Sequence, residues 1–147
     1  TASFLSDDDA APPSNPAELA EIWSARLGVR VTEAEQLSAF AISAEEGGNA
    51  AGVAIMQSWP SEDAMRELAA DLGFSETVFA VPEPPSWRVR FFSPGAEVPF
   101  CGHATLALGD ALARSRGRRV YPLRMNCRSP LLISPGSFRN SRAAVVI

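Results

Sequence analysis

Two hydrophobic periods alternate along this chain, and the change from one to the other marks its elements. Beyond Asn15, a good N-cap, and Pro16, the residues Leu19, Ile22, Trp23 and Leu27 recur at helical spacing until Gly28 stops the run. A second helix starts at Ser61. Its first turn holds Glu62 and Asp63, its apolar stripe is Met65, Leu68, Ala69 and Leu72, and Gly73 ends it. Between them "LSAFAI" and "AAGVAIM" predict two strands around the turn-rich "SAEEGGN". "SETVFAV" and "WRVRFF" predict two more across the proline-rich "PEPPS", with Trp87, Val89 and Phe91 facing away from Arg88 and Arg90. A third helix is predicted from about Gly102 to Ser115, closed by Gly117. Its core, "ATLALGDALA", is apolar nearly all round, which demands burial on every side. "VYPLRM", "PLLIS" and "AAVVI" complete the strand-like pieces, the last two joined by "PGSFRNS".

These elements predict an α+β domain, a mixed β-sheet curled around one buried central helix. The sequence divides into an N-terminal extension with one helix, residues 1–33, and a domain over residues 34–147. The first 15 residues, "TASFLSDDDAAPPSN", are acidic, small and proline-containing, which suits a mobile lead-in. At 147 residues and 46% hydrophobic content there is material for one real core and too little for two ordinary domains. No apolar run approaches the roughly 18 residues that span a bilayer, and the start lacks a basic-then-apolar leader. A cytoplasmic protein with no membrane association is therefore expected. Cys101 and Cys127 are expected as free thiols, and two cysteines with one histidine are too few for a structural zinc site in one chain, so no metal is expected.

Charge narrows the function further. All 13 basic residues are arginine, which excludes a lysine Schiff base and a Walker A phosphate loop. Residues 1–110 hold 17 acids and 5 arginines, a balance of -12, whereas residues 111–147 hold 8 arginines and no acid, a balance of +8. No interleaved aromatics or binding motif surround Arg114, Arg116, Arg118 and Arg119, so nucleic acid is not an expected partner. The basic end is expected to pair with the acidic part, within one chain or across a self-association interface.

Candidate chemistry concentrates in "EVPFCGHATLALG", residues 97–109, where a thiol, a glycine and the chain's single histidine precede the buried helix. A helix N-terminus offers free backbone N–H groups and the positive dipole end to an anion, and Gly102 lets a ligand come close. Cys101 and His103 flank that glycine with groups able to exchange protons. A carboxylate substrate would fit. On residues alone, Cys101 as a buried small hydrophobe and His103 as a satisfied polar residue explain the stretch equally well.

"EVPFCGHATLALG" resembles the signature of the PhzF-like phenazine-biosynthesis proteins, which share the diaminopimelate-epimerase-like fold. "LSAFAISAEEGGNAAGVAI" resembles that family's opening strand, Gly-Asn-Pro turn and second strand, and "LGFSETVFAV" its Ser-Glu-Thr-x-Phe segment, in the same order. The likeness covers roughly residues 37–134. It implies that Glu76 is the general acid/base that moves a proton between carbons of a small carboxylated metabolite. Such a role needs a carboxylate partly withdrawn from water, which the position of Glu76 between Phe74 and Phe79 allows. By the same resemblance the backbone of Gly102, His103 and Ala104 holds the substrate carboxylate, with Asn49 and Ser75 as further substrate-binding positions. Cys101 falls where related epimerases and racemases place a thiol acid/base, so Glu76, His103 and Cys101 are the catalytic candidates. No cofactor is required.

Two departures qualify what the resemblance implies. Ala50 stands where the family's turn has proline. Family members are built from two similar halves around a cleft, and the likeness here spans the first half only, without the Asp-containing and Gly-Ser-Ala motifs of the second. Two readings follow. In one, an isomerase of secondary metabolism works as a homodimer with a composite cleft; in the other, a non-catalytic half-domain binds a small molecule or a partner protein.

Overall fold

The computed structural model describes residues 15–41, 47–125, 131–134 and 144–146, with side chains placed over 15–36 and 50–125. Helix α1 (Pro16–Leu27) starts where Asn15 Oδ1 accepts the Ala17 N–H at 2.8 Å and ends at Gly28, whose φ of 74° is left-handed. Leu19, Trp23 and Leu27, four residues apart, form its buried face. Strand β1 (Val31–Ala41) follows and pairs antiparallel with β2 (Gly47–Met56). Helix α2 (Glu62–Leu72), capped by Ser61, then carries the chain over the sheet to β3 (Glu76–Glu83), which lies parallel to β2. A hairpin returns it as β4 (Ser86–Phe92), and the two-residue β5 (Glu97–Val98) hangs from the end of β4. Helix α3 (Gly102–Arg116) leads to β6 (Tyr121–Met125), parallel to β4, and β7 (Leu131–Ser134) and β8 (Ala144–Val146) extend the sheet antiparallel.

The sheet order is β1-β2-β3-β4-β6-β7-β8. Helix α3 packs against β1, β2 and β3 near one edge and against β7 and β8 near the other, so the sheet must curl around it. The expected α+β architecture is present. Alternation within each strand feeds two cores. Val53, Ile55, Val78, Ala80, Val89 and Phe91 face inward onto Ala104, Ala107, Leu108, Ala111 and Leu112 of α3. Ala54, Met56, Phe79, Val81 and Phe92 face outward and are covered by Trp23 and Leu27 of α1 and by Met65, Leu68 and Ala69 of α2. The result is three layers, with α1 and α2 on the outer face of the sheet.

Helix α1 is thus built into the outer core. Its Trp23 is fully buried, and a Cβ at Gly52 would lie 3.2 Å from Thr77 Cγ2 and 3.4 Å from Trp23 Cη2, so glycine lets the indole approach β2. Ser24 Oγ accepts the Val31 N–H at 2.9 Å and Arg26 pairs with Asp71, fixing α1 to β1 and to α2.

Strand β1 begins at Val31, six residues before the expected start at Leu37. Its first residues read as polar: Glu33 and Glu35 stand on the strand, with a register irregularity between Val31 and Glu33. The structure shows why acids are tolerated there. Arg116 Nη1 lies 2.6 Å from Glu33 Oε2, and Arg114 pairs with both Glu35 and Asp110. Part of the charge asymmetry between the two portions of the chain is therefore neutralised internally. Strand β2 likewise starts at Gly47, taking in the end of "SAEEGGN", while residues 43–46 of that turn, Cys127 and the whole of "PGSFRNS" lie outside the described residues.

Removing the largest buried side chain of the outer core tests this assignment. Trp23→Ala should cost about 3–5 kcal/mol in denaturant unfolding, whereas a loss below about 1 kcal/mol would show that α1 is not integral to the domain.

Candidate functional site

The inner core leaves one end of α3 open to solvent. At its C-terminus the Tyr121 hydroxyl stands between the carbonyls of Leu112, at 3.2 Å, and Gly117, which share its one proton, and the Arg116 guanidinium lies 5.0 Å from the centre of the Trp87 ring. The Gly117 N–H also donates to the Ala113 carbonyl, at 3.0 Å. The N-terminus differs: Cys101 occupies the N-cap position without a side-chain capping hydrogen bond, and no acid stands in the first turn. Gly102 is exposed, and a Cβ on it would meet only Phe100 Cε2, at 4.0 Å. The start of the helix is therefore open to solvent at Gly102, while the His103 and Ala104 N–H groups lie toward the Cys101 sulfur.

Three chemically active side chains converge on that end. Parallel pairing puts Glu76 opposite Ala51, at the start of β3, and alternation with the inward residues Val78 and Ala80 turns it toward α3. Glu76 Oε1 lies 3.6 Å from His103 Nε2, just beyond direct hydrogen-bond reach. Cys101 Sγ lies 3.5 Å from both His103 ring nitrogens, so the sulfur faces the imidazole and not one lone pair. Glu76 and His103 are 15% and 21% exposed, enough for substrate access with most of each side chain shielded. Thr105 locks the turn, since its N–H and its Oγ1 both donate to the Cys101 carbonyl, at 3.0 and 2.8 Å.

Burial, foremost, pushes the Cys101 thiol above the ordinary cysteine range. The Ala104 and His103 backbone N–H groups pull the other way, and the neighbouring Glu76 carboxylate adds to the rise. At neutral pH the sulfur is held as a thiol, an acid able to give a proton and a poor nucleophile.

The expected site residues divide as follows. Glu76, Cys101 and His103 come together, and Gly102 borders them. Ala104 is fully buried, so any role at the site falls to its backbone N–H. Ser75 is exposed immediately before β3. The Asn49 backbone pairs with Ala39, two residues before the partner of Glu76 and at the same end of the sheet; its side chain lies outside the described residues. Sequence reasoning missed Phe100 and Arg90. Phe100 packs edge-on to Phe91, ring centres 5.9 Å apart, and walls the mouth beside Gly102. Arg90 grips Glu97 through Nε at 2.8 Å and Nη2 at 2.6 Å and also reaches Glu62 at 3.1 Å, pinning β5 and the loop that ends at Cys101. Alternating arginines in β4 were legible, but a partner seven residues away across a loop was not. A surface groove of about 260 Å³ lies at the other end of α3, lined by Pro82, Trp87, Arg116, Tyr121 and neighbours; no carboxylate or thiol lines it.

The family model for phenazine biosynthesis-like proteins, PhzC-PhzF, matches residues 37–132. The chain belongs to this phenazine biosynthesis-like family. An uncharacterised isomerase of Pseudomonas aeruginosa is 41% identical over 80 residues, 54% of this chain and 30% of that protein. The uncharacterised isomerase YddE of Escherichia coli is 48% identical over 71 residues, 48% of this chain and 24% of its own length. Among solved structures, a PhzF-family protein of Enterococcus faecalis superposes with a TM-score of 0.61 at 30% identity, over 67% of this chain and 38% of the other. A protein described as a predicted epimerase of Pseudomonas aeruginosa gives 0.56 at 28% identity, over 67% and 36%. The chain thus spans less than a third of the length of these curated relatives, and the shared fold is the diaminopimelate-epimerase-like one. Among the described residues no helix is long and apolar enough to cross a membrane.

The thiol's environment has a direct test. Alkylation of the Cys101 peptide, followed by mass spectrometry against pH, should rise with a midpoint above that of an ordinary cysteine, and Glu76→Gln should move it down. An unshifted midpoint in both proteins would show that Cys101 is neither buried nor beside the carboxylate.

Proposed function

We propose that this phenazine biosynthesis-like chain is a cofactor-independent isomerase that moves a proton between carbons of a small carboxylated metabolite. The observation that carries this reading is the meeting of Glu76, His103 and Cys101 at the uncapped N-terminus of a buried helix. The names of the relatives, isomerase and epimerase, point the same way. A substrate carboxylate takes the exposed Gly102 amide and the positive end of the helix, which sets its α-carbon beside Glu76. Glu76 removes the proton, breaking one C–H bond, and the electron pair shifts along the conjugated substrate. The same carboxyl group then protonates a different carbon; where the Cys101 thiol gives that proton instead, Glu76 returns its proton to the thiolate, with His103 between them, so that no net proton or electron is consumed.

The active unit in this reading is a homodimer in which two such helix ends face one cleft. Support comes from exposure: Gly102 and Ser75 are open to water in a single chain, so a bound carbanion would be covered on one side only. The setting is the cytoplasm, within secondary metabolism, with no metal or nucleotide in the chemistry.

Glu76→Gln should lower turnover about 10²- to 10⁴-fold, read as deuterium uptake from D2O into candidate carboxylates, with circular dichroism unchanged. Retained ligand binding without deuterium uptake in the parent protein would favour the non-catalytic half-domain. Light scattering should give twice 15.7 kDa, and a strict monomer at all concentrations would overturn the composite cleft.

A further inference from the structure

We propose that Glu76, Cys101 and His103 form a site for a thiophilic divalent cation, zinc above all, and that zinc held there blocks the isomerase. The binding claim stands on geometry; the inhibition rests on the function proposed above.

The donor set comes first. One carboxylate oxygen, one sulfur and one imidazole nitrogen lie within 4.8 Å of one another. Sulfur and imidazole select zinc, cobalt and their neighbours over magnesium or calcium, which take oxygen ligands. Zinc bonds of about 2.3 Å to sulfur and about 2.0–2.1 Å to nitrogen and oxygen, at tetrahedral angles, separate S from N by about 3.5 Å and N from O by about 3.4 Å. Cys101 Sγ is 3.5 Å from His103 Nε2, and His103 Nε2 is 3.6 Å from Glu76 Oε1. Two of the three separations thus stand at bonding values, and the third, from sulfur to carboxylate, lies within 4.8 Å.

One adjustment is needed. Because the sulfur faces both ring nitrogens equally, the imidazole must turn to aim the Nε2 lone pair into the space between sulfur and carboxylate. His103 is the most exposed of the three, whereas Cys101 is fixed at the helix start and Glu76 on β3, so the change is confined to one side chain. The thiol proton leaves to solvent as the metal binds, and sulfur coordinates as thiolate. Thiolate and carboxylate then balance the two positive charges. Three protein ligands leave a fourth position toward the empty space before Gly102, open to water or to a substrate carboxylate. Among the described residues this cluster offers too few ligands for a closed structural site, but three suffice for an open one. Occupancy uses up the lone pairs that would take and give the proton, so the metal is an inhibitor here.

The test uses the metal-free full chain with cobalt(II) as spectroscopic probe and zinc in competition with a chromogenic chelator. One metal should bind per chain, with a thiolate-to-cobalt charge-transfer band that zinc abolishes. Cys101→Ser and Cys101→Ala should lose the band, Cys127→Ser should keep it, and His103→Gln and Glu76→Gln should each weaken zinc binding at least tenfold. Absence of the band in the parent protein, or its loss in Cys127→Ser with survival in both Cys101 variants, overturns the site. Metal binding without any isomerase activity would leave the site standing and remove its inhibitory meaning, while activity unaffected by bound zinc would remove only the inhibition.

Discussion

The enclosure of α3 sets the terms for everything else in this molecule. Ala104, Leu106, Ala107, Leu108, Ala111 and Leu112 leave that helix without a polar stripe, so no arrangement that exposes one side of it to water is stable. A flat sheet covers one side only. The strands therefore wrap, and the alanines at 104, 107 and 111 let the inner sheet face come close. The wrapping in turn exposes an outer sheet face lined by Phe79, Met56 and Phe92, and α1 and α2 exist in the fold to cover it.

A helix buried along its length still has two ends, and the two are treated oppositely. At the C-terminus a tyrosine hydroxyl bridges the Leu112 and Gly117 carbonyls, and arginines of the last turn reach acids on β1. At the N-terminus the chain supplies a cysteine that does not cap, an exposed glycine and no acid. A helix start without a capping oxygen costs stability in a protein selected for stability alone. Its company, a carboxylate and an imidazole on rigid elements, is what an anion-binding proton-transfer site requires.

Much of this was legible from the chain. Helix caps at Asn15, Ser61, Gly28 and Gly73 fell where local chemistry put them, because each cap is a short-range hydrogen bond or a left-handed φ. The apolar run after Cys101 announced a central helix, and three short motifs pointed to the residues that now meet at its start. What escaped the sequence was non-local. Glu33 and Glu35 look like loop residues until arginines some 80 positions later are brought beside them. Strand β5 is two residues long and depends on Arg90 for its anchorage, so no periodicity could reveal it. Phe100 gains meaning only once Phe91 stands next to it. Two separate motifs carry Glu76 on one side and Cys101 with His103 on the other; that the three stand together is visible only in the folded chain.

Glu76 opens β3, whereas Cys101 and His103 open α3, and the hairpin and the β5 arm intervene. Neither segment holds its share of the site alone. The donors meet only when the helix docks inside the sheet, which is also the event that closes the inner core. Site formation and folding are therefore one transition, and any ligand that bridges Glu76 to the start of α3 binds the native state alone. Such a ligand is thermodynamically a staple, raising the free energy of unfolding as the logarithm of its concentration above its dissociation constant. The same coupling runs in reverse: core substitutions far from Glu76 dilute the population in which the site exists at all.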